Sequence, residues 1–399
     1  MFDRLKAMFG SLTSKGDSVV GVDVGSAYLK VVQLRRKNGK AILETYGSLA
    51  LGPYAGVEIG RATHLPAGKL AEALRDLLRE AHVTTKKAGC SIPFASSLVT
   101  TMDMRVLDPK QLATSVSLEA RKYIPVPISE VNLDWWIIPE EPGRISVAET
   151  PVGKPEQPPE ASAEGQGGSS APTAQKERVN DIDPNAPRET KILIAAIHNE
   201  ELARFQGAMR DGGLEVSFFE IELFSTIRSL FSQDLEPHAV LDLGAGETKL
   251  YIIDRGIVRS SHIMSHGGQD ITLALSRSLG ITVEEAEKRK REEGLQGSGE
   301  ETVSETAVLN VIFGEMNRVL GNFERKFGRK VVDVVLSGGG ANLLGIEALA
   351  QQSLSVAVRR ANPFTQVEAP AFLDELLKGV GPEFTVAVGI AFRKLQETT

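Results

Sequence analysis

Residues Val19-Val-Gly-Val-Asp23-Val-Gly25-Ser26 run on into Ala-Tyr-Leu-Lys30-Val-Val-Gln-Leu, and Ala239-Val-Leu-Asp242-Leu-Gly244-Ala-Gly246 run on into Glu-Thr-Lys-Leu-Tyr-Ile-Ile. Each stretch has an aspartate closing an apolar run, small residues, and then a run rich in β-branched side chains. That order predicts a strand, a tight turn and a second strand. Glycine in the turn lets the backbone come close to a ligand, and successive turn N–H groups form a concavity suited to phosphate oxygens. The aspartates suit Mg²⁺, held mainly through the waters that this ion keeps. A lone Asp-x-Gly turn is commonplace. Two of them facing each other would clamp a polyphosphate and its metal from both sides.

A third element supports the pair. Val331-Val-Asp-Val-Val-Leu-Ser337-Gly338-Gly339-Gly340-Ala341-Asn342 reads as a buried strand that runs into three glycines and then a helix. Such a turn admits a flat base and sugar close to the backbone.

The elements that must position these residues alternate between strands and helices, which predicts α/β architecture. Helical patterns span 66–81, 109–122, 199–211, 282–293 and 303–327, and strand patterns span 19–24, 29–34, 239–243, 249–254 and 331–336. Between 139 and 190 the composition shifts. From Pro151 to Lys176, Val152 is the only aliphatic residue larger than alanine, so this stretch cannot build a core. Strand-like runs at 131–138 and 191–197 bound it, which predicts a long disordered loop inside one domain. At the start, Phe2, Leu5, Met8, Phe9 and Leu12 share one side of a short helix or tail over 1–17. About three turns with so few anchors would hold a membrane surface weakly.

Composition narrows the classes. The 399 residues are 42% hydrophobic and 24% charged, with net charge −7, so no basic excess points to nucleic acid. The single Cys90 excludes an internal disulfide and any multi-cysteine zinc site, and its apolar neighbours predict a buried thiol. There is no run of about 18 apolar residues and no signal-peptide pattern, so the expectation is a cytoplasmic chain with only peripheral membrane contact.

Taken together, the motifs resemble the actin, Hsp70 and sugar-kinase superfamily, in the order and spacing of its phosphate-1 (Asp23, Gly25, Ser26, Lys30), phosphate-2 (Asp242, Gly244, Gly246) and adenosine (Gly338, Gly339, Gly340, with Asn342) motifs. The resemblance implies ATP and Mg²⁺ in a cleft between two lobes, with a phosphate contact from Lys30. It extends to Gly267-Gly268 and to Glu287-x-x-Lys290, whose side chains lie one helical turn apart and would reach the ribose and base. It also implies an acidic or amide residue that orients the attacking water. Glu222 occupies that place, with Glu220 a neighbour of equal chemistry.

More specifically, Glu119-Ala-Arg-Lys-Tyr123-Ile-Pro125-Val-Pro127, Gly267-Gly-Gln-Asp-Ile-Thr272, Leu336-Ser-Gly-Gly-Gly-Ala-Asn-Leu-Leu-Gly345 and Asn362-Pro363-Phe364 are similar to the PilM family of type IV pilus assembly proteins, relatives of FtsA. That resemblance implies a two-lobed actin-like ATPase fold, built of duplicated RNase H-like domains with a small inserted 1C (SHS2-type) domain. The expected division is 18–94 and 214–238 for the first lobe (1A) with 381–399 returning to it, 95–213 for 1C, and 239–380 for the second lobe (2A/2B). It further implies a groove that takes the N-terminal peptide of a PilN-like inner-membrane protein. The implied role is an ATP-binding scaffold, with slow hydrolysis at most, at the inner face of the membrane. Assembly of like copies stays open. Two alternatives belong to the same superfamily. A small-molecule kinase would need an acceptor pocket and a further carboxylate cluster that the sequence does not supply. An FtsA-like filament protein would be expected to carry a basic amphipathic helix beyond Phe392-Arg-Lys-Leu-Gln-Glu-Thr-Thr.

Overall fold

The computed structural model describes residues 18–106, 112–138, 188–231, 234–296 and 300–397. The expected short helix or tail at 1–17 lies outside them, as does the expected loop up to residue 187.

The chain opens with an antiparallel meander of β1 (Ser18–Val24), β2 (Tyr28–Lys37) and β3 (Lys40–Ala50). After the Ala67–Glu80 helix, β4 (Lys87–Ile92) pairs parallel with β1. An insertion follows. Its strands β5 (Ser97–Val106), β6 (Val131–Ile138) and β7 (Arg188–His198) form a separate antiparallel sheet in the order β5-β7-β6. The Leu112–Ala120 helix packs Leu112, Val116 and Ala120 against Met102, Ile192 and Ile194 of that sheet. The Asn199–Asp211 helix then returns the chain to β8 (Glu215–Ile221), parallel to β4.

The plan repeats in β9 (His238–Leu243), β10 (Thr248–Asp254) and β11 (Ile257–Met264), again an antiparallel meander. The strand β12 (Asp333–Ser337) runs parallel to β9, and β13 (Ala357–Arg360) parallel to β12. A two-residue strand, β14 (Val367–Glu368), adds to the edge at β3. The large sheets are therefore β14-β3-β2-β1-β4-β8 and β11-β10-β9-β12-β13. Apart from β14 they share strand order and direction, which is the duplicated, two-lobed actin-like architecture.

Burial on both faces explains the apolar runs. On one face of β1, Val20, Val22 and Val24 meet Leu70, Leu74 and Leu77 of the Ala67–Glu80 helix, while on the other Val19 meets Phe384, Ala387 and Ala391. Gly21 shares that second face. A Cβ there would stand 2.1 Å from the Ala387 carbonyl oxygen, so the Thr385–Glu397 helix lies directly on the strand backbone. In the second lobe the long Glu300–Phe327 helix buries Leu309, Ile312, Phe313 and Met316 over Leu241, Leu250 and Ile252. Beneath the cleft, Phe94, Ile221 and Leu223 pack with Val240, Tyr251 and Val335, so one apolar floor joins the lobes.

Two sets of contacts cross the expected divisions. The Asn199–Asp211 helix buries Phe205 and Met209 in the core beneath β1 and β4. Phe364, Val367 and Leu377 pack with Val19, Val32 and Leu34 of the first sheet. Cys90 is fully buried, as expected.

Candidate functional site

The two hairpins face each other across a cavity of about 520 Å³. In the first, the Gly25 N–H donates to the Tyr28 carbonyl oxygen (3.0 Å), closing the turn, and cross-strand register sets Asp23 opposite Lys30. The Lys30 Nζ lies 3.3 Å from Asp23 Oδ2. The other oxygen, Oδ1, accepts from Ser91 Oγ on β4 (2.9 Å), and Ser91 Oγ in turn accepts from the Val24 N–H (3.2 Å). This relay fixes the Asp23 carboxylate although only 4% of the residue is exposed.

The second hairpin repeats the geometry. The Gly244 N–H donates to the Glu247 carbonyl oxygen (3.1 Å), and register sets Asp242 opposite Lys249. Lys249 was not anticipated, yet its signal is in the sequence: Asp23 and Lys30 have the same separation as Asp242 and Lys249. Its Nζ lies 2.7 Å from Glu222 Oε1, 3.6 Å from Glu247 Oε1 and 3.8 Å from Asp242 Oδ2. Burial opposes its charge, but Glu222 and Asp242 together hold the ammonium firmly protonated.

Glu222 opens the Glu222–Leu230 helix at the cavity wall, where its Oε1 also accepts from the Phe94 N–H (2.6 Å). Burial raises the Glu222 carboxyl, Lys249 opposes the rise, and Asp242 and Asp23 add to it, bringing it to about 7. Glu220, the alternative, points away. Its carboxylate accepts from Arg228 Nη1 (2.6 Å) and Nη2 (2.8 Å), Arg393 Nη1 (2.7 Å) and Ser225 Oγ (2.7 Å), clamping β8 to two helices.

The glycine-rich turn after β12 completes the wall. Gly338 has φ +80°, and a Cβ there would lie 2.3 Å from Asp242 Oδ1. A Cβ on Gly340 would lie 2.7 Å from that of Leu243, whereas one on Gly339 would meet nothing within 4 Å. Asn342 is held through its Oδ1 by Arg360 Nη2 (2.6 Å). Opposite, Glu287 Oε2 accepts from Lys290 Nζ (2.6 Å) and Thr272 Oγ1 (2.6 Å), and Lys290 Nζ also donates to the Gly268 carbonyl oxygen (3.0 Å). Burial tends to raise the Glu287 carboxyl, but Lys290, Thr272 and Arg291 outweigh it and hold it below the usual range.

Of the residues expected from sequence, Asp23, Gly25, Ser26, Lys30, Glu222, Asp242, Gly244, Gly268, Glu287, Lys290, Gly338, Gly339, Gly340 and Asn342 line this one cavity. Gly246 and Gly267 do not. Gly246 is covered by Ala62, whose Cβ a new side chain would meet at 3.0 Å, and Gly267 backs onto the Ala245 carbonyl oxygen, which a Cβ would meet at 2.5 Å. Both shape the second turn from behind. Several cavity residues besides Lys249 were missed, Arg291 and Glu383 among them. Arg291 bonds Tyr28 across the cleft, its guanidinium 5.2 Å from the ring centre, and Glu383 lies before the Thr385–Glu397 helix. No local pattern marks either of them.

Known proteins similar to this chain share its fold. A match of 27% identity over 158 residues links the chain to the cell division protein FtsA of Bacillus subtilis, covering 34% of this chain and 36% of that relative. The ethanolamine utilization protein EutJ of Salmonella typhimurium is 28% identical over 144 residues, 36% of this chain and 47% of EutJ. The chain thus spans less than half the length of these curated relatives. Among solved structures, a chain of a PilM–PilN type IV pilus biogenesis complex superposes with TM-score 0.73 at 23% identity, covering 94% of this chain and 98% of that one. The family model for type IV pilus assembly protein PilM matches residues 21–150 and 177–395, and the chain belongs to that family.

Proposed function

We propose that the chain is a nucleotide-switched scaffold of type IV pilus assembly, binding Mg·ATP between its lobes and recruiting the N-terminal tail of a PilN-like inner-membrane protein. The observation that carries the nucleotide reading is the pair of mirrored hairpins, Asp23/Lys30 and Asp242/Lys249, lining one cavity with the Gly338–Gly340 turn. The residues fit such a ligand. Asp23 and Asp242 are buried carboxylates suited to the waters of Mg²⁺, and Gly339 leaves open wall where a base or sugar would lie. Lys30 and the turn backbones would contact phosphates, and Glu287 with Lys290 the ribose and base. When bound, Mg²⁺ supplies neutralisation of phosphate charge. Glu222 would orient the attacking water, but its Oε1 also accepts from the Phe94 N–H, which supports slow turnover.

The partner reading starts from the similar PilM–PilN chain. Here a groove of about 290 Å³ runs between the edge strand β6 and the Glu222–Leu230 helix, lined by Trp136, Ile137, Phe224 and Ile227 and by Ile257 and Val258 of the second lobe. Trp136 and Ile137 are 44% and 51% exposed, and an extended peptide could pair with β6 while filling these apolar seats. Because both lobes and the insertion line the groove, lobe closure would reshape it. Nucleotide can bias closure only by binding the closed form more tightly. Among the described residues no helix is long and apolar enough to cross a membrane, and a PilN-like partner would bring the chain to one.

Calorimetric titration with Mg·ATP, followed by a peptide copying the tail of a PilN-like protein, tests both parts. Wild type should bind both, and Asp23→Ala and Asp242→Ala should lose the nucleotide. Unchanged nucleotide binding in both variants would sink the site assignment.

A further inference from the structure

Lys249 has no place in the sequence motifs that identified the site, yet it is a buried cation on the cavity wall with several carboxylates around it. Its side chain is 9% exposed and has carboxylate oxygens of Glu222, Glu247 and Asp242 at 2.7, 3.6 and 3.8 Å. Among the described residues its register counterpart Lys30 has one carboxylate partner within 4 Å, Asp23, at 3.3 Å. The hairpins are thus alike in backbone and unlike in charge. The second places one ammonium among three acids, an excess of negative charge that a polyphosphate could not approach without a cation to meet it.

Position says which phosphate that cation meets. The inference rests on the nucleotide reading above, in which Glu222 orients the attacking water. That water must lie beyond the terminal phosphate, so an ammonium 2.7 Å from Glu222 stands at the terminal end of the ligand. Lysine suits the task, being a compact charge on a flexible stem that can move between acceptors without a fixed bidentate geometry. We propose that Lys249 reads the terminal phosphate: it holds Glu222 in the nucleotide-free protein and turns to the γ-phosphoryl oxygens when ATP binds, making the site prefer ATP over ADP. Glu222 is then released only when a triphosphate is present, which ties its availability to the ligand that needs it.

The test compares affinities for Mg·ATP and Mg·ADP by calorimetry, with melting temperatures of the nucleotide-free proteins as the control. Lys249→Met should weaken ATP by about ten- to hundredfold, the range for losing a charge-assisted hydrogen bond, and ADP by less than about threefold. Lys249→Arg, which keeps the charge, should recover part of the ATP affinity. Should Lys249→Met fold poorly with Glu222 left unpaired, the Glu222→Gln/Lys249→Met double variant removes both charges and should show the same ATP-selective loss. Equal weakening of both nucleotides, or none, overturns the assignment while leaving nucleotide binding intact. A wild-type protein that binds neither nucleotide overturns it together with the reading beneath it.

Discussion

The three consecutive glycines after β12 differ in what a methyl group would meet, and alanine at each should separate folding from ligand binding. At Gly338, with φ +80°, an L-residue pays about 1–2 kcal/mol for the left-handed conformation. The new Cβ would also lie 2.3 Å from Asp242 Oδ1 and 2.7 Å from the Leu243 carbonyl oxygen, overpacking that adds about 1–3 kcal/mol. Gly338→Ala should therefore destabilise by about 2–5 kcal/mol and displace the Asp242 carboxylate. At Gly339 the backbone starts a short helical turn and the Cβ meets nothing within 4 Å. There alanine should raise stability by about 0.4–1 kcal/mol through the unfolded chain, or roughly 1–3 °C in Tm. The same methyl stands on the cavity wall where the ligand would lie, so Mg·ATP affinity should fall about tenfold or more. Thermal melts without nucleotide and calorimetric titrations with it measure the two effects independently. If Gly339→Ala melted as early as Gly338→Ala, the turn geometry would be wrong. If it bound Mg·ATP like wild type, the nucleotide would not sit against this turn.

Two further outcomes follow from contacts outside the cavity. Glu220 is 6% exposed and serves two arginines whose side chains are 25% and 35% exposed, so Glu220→Ala should cost about 2–3 kcal/mol, below the range for a fully buried pair. Burial raises the Glu220 carboxyl, but Arg228, Ser225 and Arg393 outweigh it and hold it below its ordinary 4.5. Below that value the unfolded chain binds more protons, so this stability is present above pH 4.5 and lost as pH falls through the folded value. Urea midpoints at pH 7 and pH 4 should accordingly differ less in Glu220→Gln than in wild type, and an equal difference would refute the clamp. In the groove, Trp136→Ala should weaken the PilN-like peptide about tenfold while leaving Mg·ATP binding unchanged; retained peptide affinity would move the partner elsewhere.

The site was legible where it is written in short, local patterns. A strand that ends in Asp, turns on glycine and returns with β-branched residues carries its own geometry, and so does a strand that runs into three glycines. What faces what was harder to read. Ser91, which orients Asp23, arrives through parallel pairing of β1 with β4, and Arg291 reaches Tyr28 from 263 residues away. Neither juxtaposition leaves a trace in nearby sequence. The strands β3 and β11 were overlooked because much of each is only half-buried, so their apolar alternation is weak. Lys249 leaves its signal only at longer range, in a distance from Asp242 that repeats the distance of Lys30 from Asp23.

The Thr385–Glu397 helix, which lies on β1 through Gly21, also bears on how the polypeptide acquires its shape. The second lobe's sheet is drawn from one continuous stretch, 238–360, whereas the first needs strands from residue 18 onward and a covering helix made some 360 residues later. During synthesis the earlier half must wait with an apolar sheet face uncovered while the later half can settle first. Such long-range closure is slow and leaves the nascent first lobe open to wrong associations. A helper that shields β1 and β2 until that helix emerges would be most useful in that interval.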